Sequence, residues 1–200
     1  MRQRYDFYAY RPNCAEIGIK MRWIQFFFCI FANFNQKNTR KMRTKKIEID
    51  VEVLQYEELC ESDRMVVDAA KEATKRSYTP YSKFNVGAAL LLANGEIIQG
   101  SNQENSAYPS GLCAERVTMF YANSRYPDVA PKTLAIATFA GGEFLPDPIT
   151  PCGAWRQVLI DSEVRYGQDI AVLLYGAKYI YKLKSVRDLM PLAFDKECLV

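Results

Sequence analysis

The stretch "FNVGAALLLANGEIIQGSN" constrains the fold of this 200-residue chain more than any other. Two apolar runs flank Asn94-Gly95, the pairing of a β-hairpin joined by a tight type I′ turn. A hairpin cannot bury its apolar face alone, so neighbouring segments must cover it. Upstream, Leu59, Met65, Val66, Ala69, Ala70 and Ala73 recur at the three-and-four spacing of an amphipathic helix within residues 57–76. Downstream, a helix is predicted from Cys113 to Ser124, a strand over Thr133–Phe139 and a helix from Cys152 to about Arg165. Strands at Ile170–Tyr175 and Lys178–Leu183 close the pattern. A hairpin followed by alternating helix and strand predicts a mixed sheet with helices on both faces.

Residues 1–41 differ in kind. They hold eight Arg or Lys against two acids, and the rest holds 18 against 21, so the formal charge of +3 conceals a mildly acidic body. That balance excludes the basic stripe a nucleic-acid footprint needs. The apolar run "WIQFFFCIFANF" is 12 residues, short of the ~20 that span a bilayer, and no small-residue cleavage site follows it. Residues 1–41 are therefore read as a leader outside the domain, either unstructured or upstream of a true start at Met42, and residues 42–200 as the domain. No membrane association is expected.

Cysteines at 14, 29, 60, 113, 152 and 198 form no compact disulfide framework, which points to a reducing, cytoplasmic setting. The chain has no histidine, so it has no imidazole base and no imidazole metal ligand. Acid–base chemistry falls to carboxylates, and transition-metal binding to thiolates.

In "SGLCAERV", Cys113 and Glu115 open a predicted helix, where free N–H groups and the positive dipole end favour a thiolate and an ionised carboxylate. Cys152 opens another helix directly after Pro151. Two cysteine-bearing helix tips can converge on one point. Taken singly, each cysteine reads more readily as a small buried hydrophobe than as a ligand, and Phe84 and Tyr108 more readily as core aromatics, while Asn102 reads equally as a turn residue and Arg116 equally as a solvated surface cation.

The ordered set "YTPYSKFNVGAALL", "GSNQENSAYPSGLCAER" and "PCGAWRQVL" resembles the homotetrameric cytidine deaminases of three-cysteine zinc type, from about Glu57 to Phe194. Zinc deaminases carry a metal ligand two residues before a glutamate, followed by a PCxxC pair. The resemblance implies a three-layer α/β/α sandwich with a mixed, roughly five-stranded sheet, Zn2+ as cofactor and a nucleoside substrate rather than a polynucleotide. It implies that Cys113 and Cys152 are zinc ligands and Glu115 the proton shuttle. Asn102 and Glu104 would hold the ribose hydroxyls, the Ala114 N–H would contact the base, and Phe84 would wall it. Arg116 would offset thiolate charge, and Tyr108 and Phe194 would sit near subunit boundaries.

The third ligand should be a cysteine where this chain has Trp155. An indole offers an N–H donor and no lone pair for a metal, and Cys60 and Cys198 are not spaced to replace it. Losing one ligand of a complete site weakens zinc by about 3–5 kcal/mol, or two to four powers of ten. The indole is also expected to crowd the metal's space. The expected activity is hydrolytic deamination of cytidine and deoxycytidine, impaired by Trp155. A metal-free nucleoside-binding or subunit-interaction protein and a deaminase of another aminated heterocycle are the rival readings.

Overall fold

The computed structural model describes residues 43–199, so the leader predicted over residues 1–41 lies outside the described residues. Ten regular elements follow in order: β1 (Glu52–Leu54), α1 (Glu61–Ala73), β2 (Asn85–Leu92), β3 (Ile97–Ser101), α2 (Ala114–Arg125), β4 (Pro131–Ala140), β5 (Glu143–Phe144), α3 (Gly153–Tyr166), β6 (Ala171–Tyr175) and β7 (Ile180–Leu183). The strands form one sheet in the order β1-β7-β6-β4-β2-β3, with β5 paired to β4. Five of them make the predicted core. The sheet exceeds the expected five through β1 and β5, of three and two residues, too short to give a sequence period.

All pairings are antiparallel except β4 with β6. That pair is joined by the crossover through α3, the connection parallel neighbours require. Strand β4 is buried over most of its length, which is why "TLAIATF" reads as continuous apolar sequence rather than alternation. Alternate residues divide between two cores. Ala88, Leu90, Leu134, Ile136, Val172 and Leu174 join Met119 of α2 and Leu159 of α3 on one face. Ala89, Ala135, Ala137 and Leu173 meet Val66, Val67 and Ala70 of α1 on the other. The result is the three-layer α/β/α arrangement.

Helix α1 is shorter than the 57–76 span, with 3-10 turns at Tyr56–Glu58 and Thr74–Arg76 on either side. Its buried stripe is Val66, Val67, Ala70 and Ala73, and Met65 is exposed instead. Asp63 in its first turn is buried and accepts from Lys182 Nζ of β7 at 2.6 Å, tying helix to sheet.

The hairpin forms, but not with the type I′ turn. Leu92 N–H bonds Glu96 O at 2.9 Å, Gly95 N–H bonds Leu92 O at 3.0 Å, and Gly95 has φ 88° while Asn94 is not in the left-handed region. This is a three-residue loop in which a turn over Ala93 and Asn94 is followed by a left-handed glycine bulge. The Asn94 side chain accepts from Glu96 N at 3.1 Å and is satisfied without positive φ.

Helix α2 rests on β3 at Gly100, where a Cβ would collide with Thr118 and lie 2.8 Å from Thr118 N and 2.9 Å from Ala114 O. Because those last two atoms are helix backbone, relief requires α2 to move away from the sheet. Gly100→Ala is expected to destabilise the protein by about 2–3 kcal/mol, read as a lower urea midpoint with an unchanged slope. A midpoint equal to that of the parent would show that the contact has slack.

Candidate active site

The N-termini of α2 and α3 open onto one cavity. Cys113 is the N-cap of α2, with φ −71° and ψ 153°, and Cys152 is the N-cap of α3, with φ −67° and ψ 164°. Both therefore sit one residue before the helices they were predicted to begin, in extended backbone. The first turn of α2 is braced by Thr118 Oγ, which donates to Ala114 O at 2.8 Å. The approach to α3 is clamped by Arg156, whose guanidinium donates to Pro151 O at 2.9 Å, Leu189 O at 2.8 Å and Thr150 Oγ at 3.1 Å.

The cavity encloses about 530 Å³ and is lined by Phe84, Asn102, Glu104, Cys113, Ala114, Glu115 and Cys152, together with Ser82, Val86, Ile136, Ile149 and Thr150. Seven residues that the sequence singles out thus face one space. Tyr108 lines an adjoining depression with Asn102, Glu104 and Cys113; its ring is exposed and meets Tyr81 edge-on at 6.0 Å. Phe194 stands apart, exposed, and its carbonyl accepts from Gln157 Nε2 at 2.7 Å. Arg116 stacks over the Phe120 ring at 5.9 Å. Ser82, Thr150 and Arg156 were not singled out. Ser82 and Arg156 both lie inside motifs that were, but the bond of Arg156 to Leu189 O depends on a residue far along the chain.

Asn102 is shared between roles. Its Oδ1 accepts from Val86 N at 2.9 Å and its Nδ2 donates to Phe84 O at 2.8 Å, closing the end of the hairpin as a turn residue would. One N–H and one lone pair stay available for a ligand. Glu104 Oε2 accepts from Tyr81 N at 3.0 Å and Ser82 N at 3.3 Å, so the carboxylate holds the loop that turns through Lys83 at φ 56°. The Ser82 hydroxyl, with these N–H groups, holds the Glu104 carboxyl below its ordinary range.

Burial shifts both groups at the tip of α2 toward their protonated forms, against the pull of the helix dipole. Glu115 is 6% exposed, and burial raises its pKa against one opposing hydrogen bond from its own N–H. The Cys113 thiol is pushed up to about 11, first by burial, then by the charge of Glu115 and by Cys152, with Arg116 acting in the other direction. Desolvation and like charge outweigh the helix dipole here.

The donor set does not complete a zinc site. A catalytic zinc takes three protein ligands and keeps one open position. Among the described residues, no three His, Cys, Asp or Glu side chains converge so as to hold a metal ion. Trp155 is 2% exposed, belongs to the core under α2 and α3 and lies 6.2 Å from the Phe120 ring. Its indole packs in that core, and Trp155 is not among the residues that line the cavity. It leaves two thiols without a third donor.

Two helix tips that bring two cysteines and a buried carboxyl to one cavity, set on a mixed sheet, define an α/β/α fold of the deaminase class. Residues 60–167 match the family described as the cytidine and deoxycytidylate deaminase zinc-binding region. The chain is 42% identical over 134 residues to the cytidine deaminase of Sporosarcina psychrophila, covering 67% of this chain and 92% of that one. It also superposes on the crystal structure of cytidine deaminase from Burkholderia pseudomallei with a TM-score of 0.55 and 34% identity, over 65% of this chain and 97% of the other. For the cytidine deaminase of Mycobacterium tuberculosis the TM-score is 0.51 at 30% identity, over 65% and 94%. The chain belongs to the cytidine and deoxycytidylate deaminase family.

Glu104 sets a pH dependence for the wall of the cavity. Its folded pKa is depressed below 4.5, so its contribution to the Tyr81–Ser82 loop is present above the unfolded value and lost as pH falls through the lower folded value. Amide exchange at Tyr81 and Ser82, corrected for intrinsic rates, is expected to stay slow at pH 5 and accelerate only below the ordinary carboxylate range. Acceleration beginning above pH 5 would contradict this.

Proposed function

We propose that the cavity takes cytidine and deoxycytidine and that the chain hydrolyses them to uridine or deoxyuridine and ammonia, at a rate impaired by Trp155. The observation that carries this reading is the gathering of Phe84, Asn102, Glu104, Ala114 and Glu115 in one cavity between the two helix tips, in a chain of the deaminase family. Its place would be pyrimidine salvage in the cytoplasm.

The roles follow from what each group has free. Asn102 and the unshared Oε1 of Glu104 receive the ribose hydroxyls, which favours a nucleoside over a polymer. Phe84 walls the base, and the Ala114 N–H at the start of α2 donates to it. Glu115, buried and with its pKa raised by that burial, gives its proton to the ring nitrogen as water adds to the amine-bearing carbon and takes the water's proton; it then delivers that proton to the departing ammonia and recovers one from the new hydroxyl as the carbonyl forms. One water is consumed and one ammonia released. In the family zinc activates that water; the donors present here fall one short of holding it, and no step is assigned to it. A second reading, a nucleoside-binding or subunit-interaction protein without turnover, is favoured by the same missing donor.

Zinc per chain, measured on the full-length protein, is expected to be substoichiometric, with an affinity about two to four powers of ten below that of a complete site, and ammonia release from cytidine is expected to fall orders of magnitude below that of a three-cysteine relative. Trp155→Cys should raise both, at a cost in melting temperature from the core volume it vacates. Trp155→Cys with Glu115→Gln should bind zinc and stay inactive. Full zinc loading with rapid turnover in the unmodified chain would refute the impairment; cytidine binding with no ammonia released, even after Trp155→Cys, would favour the binding protein.

We further propose a homotetramer in which Tyr108 and Phe194 approach neighbouring subunits. Both are exposed, as are Leu112, Phe120 and Tyr121, and such apolar exposure is characteristic of interaction surfaces. No described helix is long and apolar enough to cross a membrane. Light scattering at micromolar concentration should report four chains; a monomer would rule the assembly out.

A further inference from the structure

Ile149 and Thr150 form part of the cavity wall, yet they belong to a segment, residues 145–150, that is neither helix nor strand. Much of what fixes that segment lies outside the cavity, in the turn Gly176–Tyr179 between β6 and β7. Ala177 N donates to Leu145 O at 2.8 Å and Lys178 N to Pro146 O at 3.0 Å, and the Tyr179 hydroxyl donates to Asp147 Oδ1 at 3.0 Å. Gly176 lets the two backbones approach: a Cβ there would lie 2.7 Å from Pro146 O, 2.8 Å from Asp147 C and 2.7 Å from Pro148 N. Its φ is not left-handed, so space alone requires the glycine.

The ends of the segment are held as well. Phe144, just before it, packs edge-on against Phe139 at 5.3 Å and Tyr175 at 5.5 Å, and Leu145 N donates to Thr138 O at 3.1 Å. At the far end Thr150 Oγ and Pro151 O accept from Arg156 at 3.1 and 2.9 Å. Pro146, Pro148 and Pro151 each fix their own φ and restrict the residue before them. The chain between Asp147 and Thr150 therefore has few ways to absorb a shift, and a displacement at Asp147 is carried on to Ile149 and Thr150.

We infer that Gly176 and Tyr179 are positioning residues for the nucleoside. Neither lines the cavity; Gly176 admits the segment and Tyr179 pins it at Asp147, and together they set where Ile149 and Thr150 stand. The nucleoside part of this inference rests on the reading of the cavity as a cytidine site.

The test uses the full-length protein and two readouts, amide exchange at Ile149 and Thr150 and the dissociation constant of cytidine by equilibrium dialysis. Tyr179→Phe removes the donor and Asp147→Ala the acceptor. Each should speed exchange at Ile149 and Thr150 and weaken cytidine about 3–10-fold, while exchange in β2 keeps the parent's rate. Asp147→Asn retains an oxygen acceptor and should restore both readouts, which a general loss of stability would not allow. Gly176→Ala, whose Cβ meets backbone, should act more strongly than Tyr179→Phe on both. Parent-like exchange and cytidine affinity in Tyr179→Phe and Gly176→Ala overturn the inference and leave the deaminase reading standing, as does faster exchange with cytidine affinity unaltered. A parent protein that binds no cytidine overturns the reading of the cavity instead, and exchange alone then decides whether the turn seats the wall.

Discussion

The site depends on a backbone contact, the approach of β3 to the first turn of α2. Only a residue without a Cβ allows it, since at Gly100 that atom would meet Thr118 and Ala114 of the helix. Thr118 then serves twice, filling the space and bonding Ala114 O at 2.8 Å, so the turn that carries Cys113, Ala114 and Glu115 is held from beneath. Burial of Glu115 follows from this proximity, and burial is the leading cause of its raised pKa. The chemistry available at the helix tip is thus a consequence of how closely a strand can pass below it.

The second tip is held by longer-range polar groups. Arg156 joins the loop before Cys152 to Leu189, 33 residues on. Further along α3, the buried carboxylate of Glu163 accepts from Ile170 N at 2.8 Å, Val186 N at 3.0 Å and the Ser185 hydroxyl at 2.9 Å. Burial raises the pKa of Glu163 and these donors oppose the shift, which fits a carboxylate retained in the interior because its lone pairs are satisfied. Arg156 and Glu163 together dock the C-terminal segment on α3, the helix that Cys152 caps.

What the sequence discloses and what it hides divide along this line. The three helices, the hairpin and the central strands are legible because burial imposes a period on consecutive residues. The gathering of Phe84, Asn102, Glu104, Cys113, Ala114, Glu115 and Cys152 is legible because ordered motifs carry it. The turn type is not, since Asn94-Gly95 suits a type I′ turn by composition yet only Gly95 takes positive φ. Strands β1 and β5 are too short to show a period. Arg156 and Glu163 act through distant backbone atoms that no local spacing reveals. The double duty of Asn102, bonded to Phe84 and Val86, depends on how two strand ends meet.

Trp155 shows how an apolar side chain near a helix tip can contribute to the fold rather than to the site. A residue at the third position of a helix can face the site off the tip or the core beside it, and the sequence alone does not say which. A fully buried indole removes about 150–250 Å² from water, worth about 4–6 kcal/mol at 25 cal/mol per Å². That is of the same order as the ~3–5 kcal/mol carried by one ligand of a complete zinc site. Apolar packing between α2, α3 and the sheet can therefore replace what the metal would have contributed to holding the two tips together. The three-layer scaffold and the buried carboxyl of Glu115 can rest on that packing.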